Sequence, residues 1–196
     1  ALQRDLDIVL LDALKPFGSG RVCPAGILRE DVDAIGRAHA AVITRADLVS
    51  GRRRDLIVQY LRGRFPGLVV GTAGERIVGF SALDGTGSGV PEGPVFAVCG
   101  IGNPASFFLR LKSGGYEIGG TRIFSDHYRW NEAAVERVEK EAGAAGADVI
   151  VTTTKDANKI SRKWTGKTWS VMEIAMEMLS GEDALLDSCF RVIGTS

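Results

Sequence analysis

A chain of 196 residues is long for one small domain and short for two large ones, and 45% hydrophobic with 24% charged residues suits a globular protein with a real core. Its 24 Lys plus Arg balance 24 Asp plus Glu, so no global field points toward a nucleic-acid partner. Three scattered cysteines (Cys23, Cys99, Cys189) make neither a metal ladder nor an even disulfide set, and no apolar run approaches the roughly 18–20 residues that span a bilayer.

With no signal peptide read at its start, the chain is expected to be soluble, cytoplasmic and α/β. The first apolar run, Ile8-Val9-Leu10-Leu11, reads as a strand buried on both faces of a parallel sheet. Such strands rarely open a domain, which points to something upstream. A Gly/Pro-rich loop follows from Lys15 to Arg21, then Pro24 to Glu30, a short helix from about Asp31 to Arg37, and a second buried strand, Ala40 to Thr44. Leu48, Ile57, Val58 and Leu61 lie near helical spacing between Asp47 and Arg64, and Leu68-Val69-Val70 is a third strand. Two alternating runs near Arg76–Phe80 and Leu83, then a loose Gly/Ser loop ending at Pro91 and Pro94, mark a domain boundary.

The second half repeats strand and helix more cleanly. Val95–Cys99 is a buried strand, and Asn103 with Pro104 caps a helix carrying Phe107, Phe108 and Leu111 that Gly114-Gly115 stops. A strand near Thr121–Phe124 leads into the loop Ser125-Asp126-His127-Tyr128-Arg129-Trp130, and Asn131 caps a helix to about Ala145. Asp148–Thr152 is the next strand, Lys155-Asp156 opens a helix, a last strand lies near Trp169–Met172, and a terminal helix spans about Ala184–Phe190. Alternation of this kind gives right-handed βαβ units, whose ligands bind beyond the carboxyl ends of the strands. Gly100–Asn103, Ser125–His127 and Thr153–Asp156 would cluster there.

Only two histidines occur, His39 and His127. His39 abuts a buried strand and reads as structural. His127 at a sheet mouth is a candidate general base, because imidazole titrates near neutrality; a locally hydrogen-bonded loop residue is the plainer reading. Gly100-Ile101-Gly102 has two of the three glycines of a dinucleotide fingerprint but Ala105 in the third place, so a tight turn is preferred and a nicotinamide-dependent oxidoreductase is disfavoured. Gly166-Lys167-Thr168 imitates the end of a P-loop, yet Ser161 stands where the first glycine belongs and no apolar strand precedes it; no other Walker A sequence occurs in the 196 residues. Arg21 and Arg29, in a glycine-containing loop, fit either a phosphate or carboxylate contact or a solvated turn. Arg52-Arg53-Arg54 reads as an exposed helix face, with a phospholipid contact as the alternative. Lys155 can reach a phosphate, and Asp156 suits the positive end of a helix dipole.

Taken in order, several blocks resemble the tetraacyldisaccharide 4'-kinase family of lipid A biosynthesis: Arg4–Ala13, Pro16–Arg21, Pro24–Glu30, Val95–Phe108, Phe124–His127 and Val151–Ala157. The resemblance covers roughly residues 4 to 160. It implies a kinase that moves the γ-phosphate of ATP, with Mg²⁺, to the 4'-hydroxyl of an acylated disaccharide lipid at the inner-membrane surface. It also implies a nucleotide-binding core here represented by residues 1–72, a two-stranded hinge at 73–93, and a smaller α/β domain at 94–196. His127, paired in the family with an aspartate of the P-loop domain, would be the proton acceptor, with Asp126 or a backbone group orienting it. Arg29 and Arg21 would contact substrate.

The chain departs from the family pattern at Ile27, Asp31, Thr154 and Tyr128, and above all in holding no Walker A or Walker B sequence. It therefore looks like the C-terminal two-thirds of such a kinase, peripheral to the inner face of the membrane, inactive alone and without its own tight site for ATP or Mg²⁺. The competing reading is a non-catalytic α/β binding module for a nucleotide-sugar or lipid head group.

Overall fold

The structure, a computed structural model, describes residues 5–87 and 89–193. Its residues form two compact units, one running to Glu75 and resuming at Met176, the other spanning Arg76–Ala175.

In the first unit, β1 (Ile8–Asp12), β2 (Ala40–Thr44) and the start of β3 (Val69–Ala82) are parallel neighbours in that order. Helix α1 (Gly51–Arg64) connects β2 to β3 and begins at Ser50, whose hydroxyl accepts the Arg53 N–H at 3.3 Å. Its inner residues Ile57 and Leu61 join Leu11, Ile35, Ala41, Ile43 and Val70 in one apolar cluster. Residues 32–37 form a 3₁₀ helix rather than an α-helix. Histidine 39 is structural, as its place in the sequence suggests: its Nδ1 accepts the Asp7 N–H at 3.0 Å, fixing the lead-in to β1.

β1 is not buried on both faces, contrary to the expectation from its apolar run. β1 pairs with β2 alone among the described strands, and its outer face is open, with Ile8 40% and Leu10 66% exposed. Successive residues of a strand point to opposite faces, so only Val9 and Leu11 reach the core cluster.

In the second unit the strand order is β7 (Thr168–Ser180), β6 (Val149–Thr153), β4 (Val95–Cys99), β5 (Ile118–Ile123), all parallel. Helix α2 (Pro104–Ser113) links β4 to β5, and α3 (Glu132–Ala144) links β5 to β6. The period of two sorts the all-apolar strand β4 between two cores. Val95, Ala97 and Cys99 pack with Phe107 and Leu111 of α2; Phe96 and Val98 pack with Val135 and Val138 of α3. Both helices start as expected, with Asn103 accepting from Ser106 N and Asn131 from Ala134 N. After β6, α4 (Thr154–Ala157) is a single turn.

The alternating run expected near Arg76–Phe80 belongs to β3, which is 14 residues long and ends at Ala82, so Leu83 falls in the turn beyond it rather than in a second strand. β3 and β7 both pass from one unit into the other. α5 (Glu182–Ile193) lies in the first unit, whereas the sequence reading carried the last domain through residue 196. β7 delivers it there by running on past Ala175, where Thr72 Oγ1 and Ser180 Oγ are 2.8 Å apart.

At the end of β4, Cys99 is fully buried, and burial, reinforced by the nearby Asp156 charge, pushes its thiol up to about 12. An alkylating reagent at about pH 8 is expected to modify exposed Cys23 and leave Cys99 untouched until the chain unfolds. Peptide mass mapping reads the result, and early labelling of Cys99 would contradict the burial.

Candidate functional site

β4 is flanked by β5, which follows it in the chain, and by β6, which comes next on its other side. The connections therefore diverge at the carboxyl end of β4, the position where doubly wound sheets bind ligands. Three segments meet there, as expected: the Gly100–Asn103 turn, the 125–130 loop after β5, and Thr153–Asp156 after β6.

Asp156 holds them together. It is fully buried, and its Oδ2 accepts the Gly100 N–H at 2.8 Å and the Thr153 hydroxyl at 2.9 Å. Its Oδ1 accepts Trp130 Nε1–H at 3.3 Å and lies 3.7 Å from Lys159 Nζ. A carboxylate removed from water is tolerated only when donors and a cation replace the solvent, and this one has both. Thr153 returns the bond by accepting Asp156 N–H at 3.2 Å, a reciprocal cap on α4.

His127 stands on the open side of this anchor. Its side chain is 75% exposed, and its backbone is left-handed at φ 60°, a conformation in which histidine is enriched among non-glycine residues. The Asp126 carboxylate accepts the His127 N–H at 3.0 Å, and Tyr128 N–H closes the turn onto Ser125 O at 3.1 Å. Asp126 Oδ2 is 3.8 Å from His127 Nε2, too far for a hydrogen bond. Asp126 thus orients the backbone of His127 rather than its ring. Lys155 Nζ lies 3.8 Å from Asp126 Oδ1, so a cation, a carboxylate and an imidazole share the mouth of the sheet. Gly102 makes room for this group: a Cβ there would come 3.1 Å from Asp126 Oδ2.

The two arginines lie in the first unit, on the loop between β1 and the 3₁₀ helix. Arg29 is exposed and lines an open cleft of about 630 Å³ formed by the outer face of β1, Lys15–Gly18 and residues 27–38. Arg21 does not line that cleft; its carbonyl accepts Leu28 N–H at 3.2 Å. Gly26 is required by this loop, because a Cβ there would stand 2.1 Å from the Arg21 carbonyl oxygen. The P-loop imitation is accounted for structurally, with Gly166 and Lys167 N–H both donating to Glu139 Oε1 and Thr168 opening β7.

Local sequence marks neither Trp130 nor Lys159, and Asp156 does more than the helix-dipole carboxylate expected of it. The pattern Thr153-x-x-Asp156 behind an apolar strand is the capping signature that marks such a residue. Nothing local marks Trp130 as its donor.

The chain matches the family model described as Tetraacyldisaccharide-1-P 4'-kinase over residues 1–191. The chain belongs to this family. Among its curated relatives, the tetraacyldisaccharide 4'-kinase of Halothermothrix orenii is 34% identical over 178 residues, covering 82% of this chain and 45% of that protein. That of Syntrophotalea carbinolica is 40% identical over 168 residues, 82% of this chain and 43% of the other, and that of Anaeromyxobacter dehalogenans 34% over 197 residues, 94% and 50%. The chain therefore spans about half the length of these kinases. In fold it resembles the crystal structure of the "apo" form of LpxK from Aquifex aeolicus in complex with ATP, with a TM-score of 0.64 at 24% identity over 97% of this chain and 53% of that one. The α/β fold of this kinase family is thus the fold found here, and ATP is bound by that solved member.

Among the described residues, no helix is long and apolar enough to cross a membrane, and no group of three His, Cys, Asp or Glu is placed to hold a metal ion.

Proposed function

We propose that this chain is part of a kinase that transfers the γ-phosphate of ATP to the 4'-hydroxyl of tetraacyldisaccharide 1-phosphate. The observation that carries the reading is His127, an exposed imidazole held in a left-handed turn at the sheet's switch point in a member of this family. In this reading His127 Nε2 takes the proton of the attacking sugar hydroxyl, because neutral imidazole is a base matched to physiological pH. Asp126 sets the backbone that presents the ring, and Lys155 keeps the mouth of the site attractive to a phosphorylated substrate.

Arg29, on the wall of the cleft in the first unit, contacts the anionic part of the substrate, with Arg21 supporting the same loop. A guanidinium offers a planar pair of donors to phosphate. Residues 73–93, which take in the outer part of β3, serve as the family's hinge. The lipid substrate places the working enzyme at the inner face of the inner membrane, as a peripheral protein using ATP and Mg²⁺.

The test is phosphate transfer from γ-labelled ATP to the purified disaccharide lipid by the complete polypeptide and by the 196 residues alone. Activity is expected only from the complete polypeptide. There, Arg29→Ala should raise the KM for the lipid by roughly tenfold, about 1.4 kcal/mol of lost binding, with kcat little changed. A complete polypeptide that does not phosphorylate the lipid sinks the assignment.

A further inference from the structure

We propose that Asp156 is a positioning residue that sets where His127 points, an inference that rests on reading His127 as the proton acceptor. Asp156 has no exposed surface, so it touches no substrate. It also does more than cap a helix. Capping the four-residue α4 requires only the exchange with Thr153, yet the carboxylate takes two further bonds from other segments, the Gly100 N–H and the Trp130 indole N–H.

Those two bonds bracket the 125–130 loop. At its near end, Phe124 N–H donates to Cys99 O at 2.8 Å, next to Gly100. At its far end, Trp130 hangs from Asp156 Oδ1 and is 6% exposed. Between them the chain lies against Gly100, where a Cβ would come 3.2 Å from each of Asp156 Oδ1, Ser125 O and Tyr128 Cβ. Tyr128 rests on Phe124, with ring centroids 4.2 Å apart, and meets Trp130 edge-on at 5.7 Å. The segment that carries His127 is thus tied at one end to Cys99 O, beside the Gly100 that Asp156 holds, and at the other to Asp156 itself through Trp130, and no hydrogen bond of the imidazole ring occurs among the described residues. The direction of the imidazole is therefore set by its backbone, and the backbone by the buried carboxylate. The strained φ of 60° at His127 persists only while its surroundings over-determine it.

The experiment exploits the two histidines of the chain. In ¹H–¹³C spectra of the 196-residue protein, Asp156→Asn places an amide N–H₂ where only acceptors fit. It is expected to displace or split the His127 imidazole peaks by more than a linewidth. The His39 peaks, and the α3 amide peaks in matching ¹H–¹⁵N spectra, should stay in place. Thr153→Val, which removes one hydroxyl donor and keeps the branched side chain, should move the same peaks by less. A merely structural role would lower Tm and leave the His127 peaks where they were, and that result overturns the proposal. If Asp156→Asn does not fold, Thr153→Val decides by the same criterion. Because the readout is the ring and not turnover, failure here is distinct from failure of the proton-acceptor reading, which the kcat of a His127 variant judges.

Discussion

Replacing His127 by glutamine in the complete polypeptide is expected to lower kcat by roughly 10²–10⁴-fold while the KM values for ATP and lipid stay within a few-fold. Glutamine keeps much of the length and hydrogen-bonding capacity of histidine but cannot accept a proton near neutral pH. The loss should therefore fall on the chemical step. The fold should be spared, because the His127 side chain is 75% exposed and its backbone N–H bond to Asp126 does not depend on the ring. Steady-state kinetics with labelled ATP, beside circular dichroism of the variant, separate the two effects. An unchanged kcat removes His127 from the mechanism.

The largest stability effect is expected in the second unit from Leu111→Ala. Leu111 is fully buried on α2 against the face of β4 that carries Val95, Ala97 and Cys99. Truncation there removes apolar contact and leaves a void that close-packed neighbours fill only partly, costing about 2–5 kcal/mol. Trp130, Trp164 and Trp169 all lie in the Arg76–Ala175 unit, so tryptophan fluorescence during urea unfolding reports on it directly. Leu61→Ala makes a similar cavity in the first unit and should weaken that unit without an equal shift in the fluorescence midpoint. A loss below about 1 kcal/mol for Leu111→Ala would mean that the α2–β4 core is not packed as described.

Much of the local structure was legible because its causes are local. The apolar runs at residues 40–44, 95–99 and 149–153 are strands, Asn103 and Asn131 cap helices, and the incomplete fingerprint at Gly100–Gly102 is a tight turn. Each depends on side chains within a few positions of one another. The length of β3 and β7 was not legible. The outer half of β7 carries mixed polar and apolar residues, with Ile174 45% and Met176 63% exposed, so composition gave no sign that it continues, and β3 was visible only as separate runs with nothing to mark them as one strand. The family blocks were legible for another reason: their order along the chain is itself specific, and the family model matches residues 1–191.

By itself the sequence determined the alternation of strand and helix, the helix starts, and the family, because these follow from short-range spacing and from the order of motifs. It also brought Asp126 and His127 together, since they are adjacent. Only the tertiary structure decided what Asp156 does. Its partners at Gly100 and Trp130 are 56 and 26 residues away, and no local rule predicts which distant donor a buried carboxylate will find. The tertiary structure likewise opened one face of β1 and carried α5 back to the first unit, because both depend on which strand lies beside which. The histidine was readable from one line of letters; the carboxylate beneath it became readable only once three strand ends were brought side by side.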